Sequence, residues 1–182
     1  MNWNFSGFIW GPTKKYTDEI LEYINNRYPV LHYYNYTFNN NTDFSDSVLD
    51  IYTTDDIALE KVKNVKIKNM INHSLSYTYF KFYIENPNFR KKTNGNTISK
   101  VVESLKKKIR EEYKTKINNY VYDIIIHITD NHKQTNAIEQ IMNKYKKNRM
   151  DEFIQLKYFL KCNIKDNIFT RADMLVRKHT IE

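Results

Sequence analysis

The chain has 182 residues, 29 Lys and Arg against 21 Asp and Glu, 41% hydrophobic residues and 15% aromatic ones. That length fits one domain around one core, and the apolar and ring content excludes wholesale disorder. With only 3 Gly, 3 Pro and no sustained heptad, collagen-like, coiled-coil and low-complexity classes are excluded as well.

The abundance of Asn, Lys, Ile and Tyr has the look of an AT-rich genome, viral or organellar. The single cysteine, Cys162, allows no intramolecular disulfide and fits a reducing compartment. No apolar run reaches the ~20 residues of a membrane span. The start, Met1-Asn2-Trp3-Asn4, has no basic n-region, so the expectation is a cytoplasmic, soluble protein with no membrane partner. A net charge of +8 favours anionic partners: nucleic acid, phosphorylated small molecules or acidic protein surfaces.

In chain order, Phe5 to Trp10 reads as a strand stopped by Gly11-Pro12. A helix follows, capped by Thr13 or Thr17, with Asp18 and Glu19 in its first turn and Tyr16, Ile20, Tyr23 and Ile24 at helical spacing. Val30 to Phe38 is rich in β-formers, and Asn39 to Asp43 is a turn. Two helices come next, around Ser45 to Tyr52 and from about Asp55 to Asn72, the second with Val62, Val65, Ile67 and Met70 inward.

A third strand spans Leu75 to Glu85, and residues 86–96 form a basic loop. A helix from about Thr97 to Tyr113 carries Val101, Val102, Leu105 and Ile109 on one stripe. Tyr120 to Ile128 is the most apolar segment and reads as a central strand. A last helix runs from Gln134 to Tyr145, and a helix after Thr170 lies in a C-terminal extension. The order β-α-β-(α-α)-β-α-β-α predicts an α+β, ferredoxin-like sandwich: a four-stranded antiparallel sheet with helices packed over it. The predicted division is a domain over 1–145 and an extension over 146–182.

The chemistry concentrates in His127-Ile128-Thr129-Asp130-Asn131-His132, where the Ile-rich strand ends. Alternation puts Asp123, Ile125 and His127 on one face and Ile124, Ile126 and Ile128 on the other. An imidazole there can act as nucleophile or proton carrier. It can equally be a rim histidine bonded to a carbonyl, with Asp130 and Asn131 capping the next helix. As metal ligands, His127, Asp130 and His132 lack a completing cluster.

His-x-Thr-Asp-Asn ahead of a helix resembles the nucleoside diphosphate kinase motif, in which His-Gly-Ser-Asp-Ser opens the last helix. The family's phosphoryl-carrying histidine falls on His127, and its following Ser and Asp on Thr129 and Asp130. Lys108-Ile109-Arg110 resembles the family's Thr-Ile-Arg, whose arginine binds nucleotide phosphates, at Arg110. Tyr52, ahead of Asp55-Asp56, matches its active-site tyrosine. The resemblance spans about residues 5–145. The family's first-strand lysine falls on Trp10 or Gly11, where this chain has no cation.

The resemblance implies a nucleotide-binding phosphotransferase that takes nucleoside di- and triphosphates. His127 and Asp130 would be catalytic, with Arg110, Tyr52, Thr129 and Arg90 on the nucleotide. Mg²⁺ would be held mainly by the nucleotide, and a homo-oligomer is among the expected assemblies. The alternative is a catalytically silent domain of the same fold. It would bind RNA or a protein through the basic runs Lys61 to Lys68, Arg90 to Lys92, Lys106 to Arg110 and Lys144 to Arg149.

Overall fold

A computed structural model of the chain describes residues 3–121 and 123–150. The part of the predicted extension from 151 onward, with its helix after Thr170 and Cys162, lies outside the described residues. Among the described residues no helix is long and apolar enough to cross a membrane.

The fold is the expected α+β arrangement. Strands β1 (Trp3–Trp10), β2 (Val30–Thr37), β3 (Ser76–Ile84) and β6 (Ile126–Ile128) form one sheet in the order β2-β3-β1-β6, every neighbour antiparallel. Two further strands, β4 (Phe89–Lys91) and β5 (Thr97–Ser99), pair as a separate hairpin. The helices are α1 (Thr17–Asn25), α2 (Asn41–Tyr52), α3 (Leu59–Lys61), α4 (Lys68–Ile71), α5 (Lys100–Tyr113) and α6 (His132–Lys144).

Cross-strand partners share a face, so Phe8, Trp10, Tyr36, Tyr77, Tyr79 and His127 point one way. This face is covered by α2 and α6: Phe8 and Trp10 cluster with Phe44, Val48, Ile51 and Tyr52, and with Ile138 and Met142. Phe5, Ile9, Phe80, Phe82, Ile126 and Ile128 point the other way and are fully covered. The buried stripes Ile20, Leu21, Ile24 and Val102, Leu105, Ile109 of α1 and α5 lie outside the first cluster and serve that second face. Gly7 is needed here, because a Cβ at that position would sit 2.2 Å from Cζ of the Phe80 ring.

Several boundaries differ from the sequence reading, each for a local reason. Thr13 does not cap α1. Its hydroxyl donates at 2.9 Å to the carbonyls of Trp10 and Ile125, inside a 3-10 turn over Gly11–Tyr16. The helix α2 starts at Asn41 because Asn40 caps it, accepting from the Asp43 amide at 2.8 Å. Part of the basic loop 86–96, as β4, pairs with the start of the predicted helix, as β5, around Asn94-Gly95, where Gly95 takes φ +83°. That pairing delays α5 to Lys100, with Ser99 accepting from the Val102 amide at 3.2 Å.

The largest correction concerns the Ile-rich run. It is not a central strand: β6 has three residues and forms an edge. Its residues are buried on both faces, as a central strand's are, because α5 covers the outer edge with side chains. Arg110 Nη2 donates to the Ile126 carbonyl at 3.1 Å, and Lys106 Nζ to the Ile128 carbonyl at 3.2 Å.

Candidate phosphate-binding cleft and buried histidine

The turn from β6 into α6 is built by short-range polar bonds. Asn131 caps α6, accepting from the Gln134 amide at 3.1 Å, and its own amide group donates to the Thr97 carbonyl at 2.9 Å. Gln134 reaches back in turn. Its carbonyl oxygen accepts from the Asp130 amide at 2.5 Å, and its nitrogen donates to the Thr54 carbonyl at 2.9 Å. The end of β6, the start of α6 and the turn after α2 are thereby tied into one rigid corner.

His127 sits inside that corner. Its ring stands 5.0 Å from Tyr52, 6.1 Å from Phe8 and 6.4 Å from Trp10. Nδ1 faces Asp55 Oδ2 at 3.7 Å, whereas Nε2 is covered and has no hydrogen-bond partner among the described residues. At that distance the carboxylate is a charged neighbour and not a hydrogen-bond partner, and its field favours the tautomer with the hydrogen on Nδ1 and the lone pair on Nε2. Burial, and then the positive charges of Lys106, Lys66 and Arg110, hold the imidazole well below its ordinary pKa, so it is neutral at pH 7. Asp55 is pushed up to about 6, first by burial and then by Asp130.

Asp130 is bonded by Lys106 at 2.5 Å and approached by Lys92 at 3.6 Å. Arg110 Nη1 pairs with Asp123 at 3.2 Å, and its Nε is buried without a partner among the described residues. Two clefts meet at Lys92 and Asp130. One, of about 420 Å³, is lined by Lys106, Arg110, Lys107, Lys114 and Tyr120 among others. The second, of about 430 Å³, is lined by Asp55, Asp56, Asn94, Asn96 and Gln134. Asn94 and Asn96 reach it from the hairpin tip and bond Asp56.

The structure thus brings His127, Tyr52, Asp130 and Arg110 into one neighbourhood. Thr129 is interior: its hydroxyl bonds the Ser6 backbone and Thr135, which fixes the start of β1 against the α6 corner. Arg90 pairs with Glu103 at 3.1 Å on the exposed hairpin and lines neither cleft. His132 is exposed on α6 beside Asn136, apart from His127. Among the described residues no group of three or more His, Cys, Asp or Glu converges on a metal position.

Sequence reasoning missed Lys66 and Asp55 as parts of this neighbourhood. Lys66 is only 4% exposed, and its Nζ donates to the Tyr52 hydroxyl at 3.1 Å. A signal for it exists: Lys66 stands at i+4 from Val62 and i−4 from Met70, squarely on the apolar stripe.

No protein-family model matches the chain, and neither does any curated protein. Among solved structures it is similar to a nucleoside diphosphate kinase of Aquifex aeolicus in an orthorhombic crystal form. Identity is 8%, coverage is 78% of this chain and 95% of that one, and the TM-score is 0.46. What the site can do follows from its own side chains.

Proposed function

We propose that this chain binds nucleoside triphosphates by their phosphates in the cleft of Lys92, Lys106 and Arg110, and passes the γ-phosphoryl group through His127. The observation that carries this reading is the buried imidazole of His127, its Nε2 without a partner among the described residues and set amid Lys66, Lys106 and Arg110. The positive field that disfavours imidazolium favours a phosphorylated ring, whose added oxygens are anionic. The buried, unpartnered Nε of Arg110 is a donor available to a phosphate oxygen.

In the transfer, the Nε2 lone pair forms the N–P bond while the bond from phosphorus to the bridging oxygen breaks. The nucleoside diphosphate leaves with the electron pair, and the Nδ1 hydrogen stays facing Asp55. An acceptor diphosphate reverses the sequence. Mg²⁺ would enter with the nucleotide, held mainly by its phosphates.

Incubation with Mg²⁺ and γ-labelled ATP tests the reading. Acid-labile label is expected on the wild type and absent from His127→Gln. Because Nδ1 faces a carboxylate, the label is expected on Nε2, which the phosphorus chemical shift of the denatured phosphoprotein distinguishes. A folded wild type that takes no label would end the phosphotransfer reading.

A second reading rests on the coverage of Nε2, which a donor reaches only after a side chain moves. On that reading the cleft binds phosphate esters silently. Nucleotide then binds with a steep salt dependence and leaves no label.

A further inference from the structure

The segment between α3 and α4, Val62–Ile67, is π-helical. Such wide turns are uncommon and often accompany functional sites. In and next to this turn Val62, Lys66, Ile67 and Met70 are buried, and Val65 is left half-buried. A lysine therefore occupies a place where a hydrocarbon would pack without cost, and a buried ammonium is expensive unless it is engaged. Lys66 is engaged through Tyr52. It donates 3.1 Å to the hydroxyl and lies 4.7 Å from the ring centroid, and that same ring stands 5.0 Å from His127.

We propose that Lys66 is a positioning residue for His127: acting through Tyr52, it fixes the imidazole and keeps it a neutral nucleophile from inside the core. The proposal rests on the phosphotransfer reading for its purpose, though not for its test. Its physical basis is a fixed positive charge in a region of low dielectric, which opposes a second cation nearby and attracts phosphoryl oxygens. Lys66 itself is brought down to about 8, chiefly by burial.

The titratable and charged groups around His127 come from four places: Tyr52 of α2 with Asp55 of the turn after it, Lys66 of the π-turn, Lys106 and Arg110 of α5, and Asp123 and Asp130 flanking β6. Lys106 and Arg110 are also tied to carboxylates and to the carbonyls of β6. Lys66 donates to the phenol of Tyr52, whose ring lies against the imidazole.

The test is nuclear magnetic resonance of the full chain with isotope-labelled histidine, the His127 signal being assigned by its loss in His127→Gln. Lys66→Met is expected to raise the His127 titration midpoint by about one pH unit, since a nearby cation is removed, while Lys66→Arg stays near wild type. In the labelling assay, Lys66→Met is expected to slow phosphorylation at neutral pH and move its pH profile upward, with nucleotide Kd within about twofold of wild type. Should Lys66→Met fail to fold, the wild type suffices: the His127 ring signal is expected to inflect near pH 8 as Lys66 loses its proton.

An unchanged midpoint in folded Lys66→Met, or a wild-type ring signal flat through pH 8, overturns the proposal. A wild type that takes no label but shows the midpoint shift overturns the phosphotransfer reading and upholds the control of His127 by Lys66.

Discussion

The two faces of the sheet are equally dehydrated and chemically unlike. Toward α1 and α5 the sheet presents chiefly hydrocarbon: Phe5, Ile9, Phe80, Phe82, Ile126 and Ile128. Toward α2 and α6 it presents Trp10, Tyr36, Tyr77, Tyr79 and His127, with Tyr52 and Lys66 packed in among them. Both are solutions to burial, but where the first buries neutral hydroxyls such as Thr78, the second also keeps ionisable side chains in the dark, where each must find a partner or a purpose. Hydrocarbon supplies stability that does not vary with pH. The polar face makes stability depend on pH, and it is where groups with altered proton affinity gather.

The contrast is broken most strongly from the hydrocarbon side. Phe80→Ala is expected to cost about 3–5 kcal/mol in denaturant unfolding, because the ring is fully buried over Gly7 and leaves a cavity. The His127 titration should be unmoved in that variant, and a shift there would mean that the faces are coupled.

On the polar face, Asp55 binds its proton more tightly when folded, at about 6, than when unfolded, at 3.8. The folded state therefore holds the extra proton between those values, and this group's contribution to stability falls as pH rises from about 4 to 6. Asp55→Asn is expected to be more stable than wild type at pH 7 by up to about 3 kcal/mol, with the gap closing near pH 4. Thermal melts at both pH values check this, and equal gaps at both would refute it.

The smallest effect belongs to neither face. Arg90→Ala removes an exposed pair with Glu103 and is expected to cost under about 1 kcal/mol. Calorimetric titration should find nucleotide affinity unaltered, since Arg90 lines neither cleft.

Much of this architecture was legible from periodicity and caps. The antiparallel four-stranded sheet follows from the order of elements, and the stripes of α1 and α5 from spacing. Edge and centre were not separable in the Ile-rich run, because a strand sealed by lysine and arginine side chains reads like one sealed by strands. The hairpin of β4 and β5 did leave a signal in Asn94-Gly95, obscured by the surrounding charge. At the site, His127 stood out by its position after a buried strand, and Tyr52 and Arg110 came with the resemblance. Lys66 did not stand out because it was read with the basic run around it, although its spacing from Val62 and Met70 places it on the buried stripe.

The outer edge of β6 has a further consequence. A bare strand edge invites any other extended chain to add itself, and uncovered edges are where folded proteins begin to aggregate. Here the Ile126 and Ile128 carbonyls that would receive such a chain are already taken by Arg110 and Lys106. At the opposite edge, Tyr36 of β2 bridges Arg149. The same two cations that line the cleft thus stopper the β6 edge, so a more hydrophobic α5 would leave the sheet open to growth.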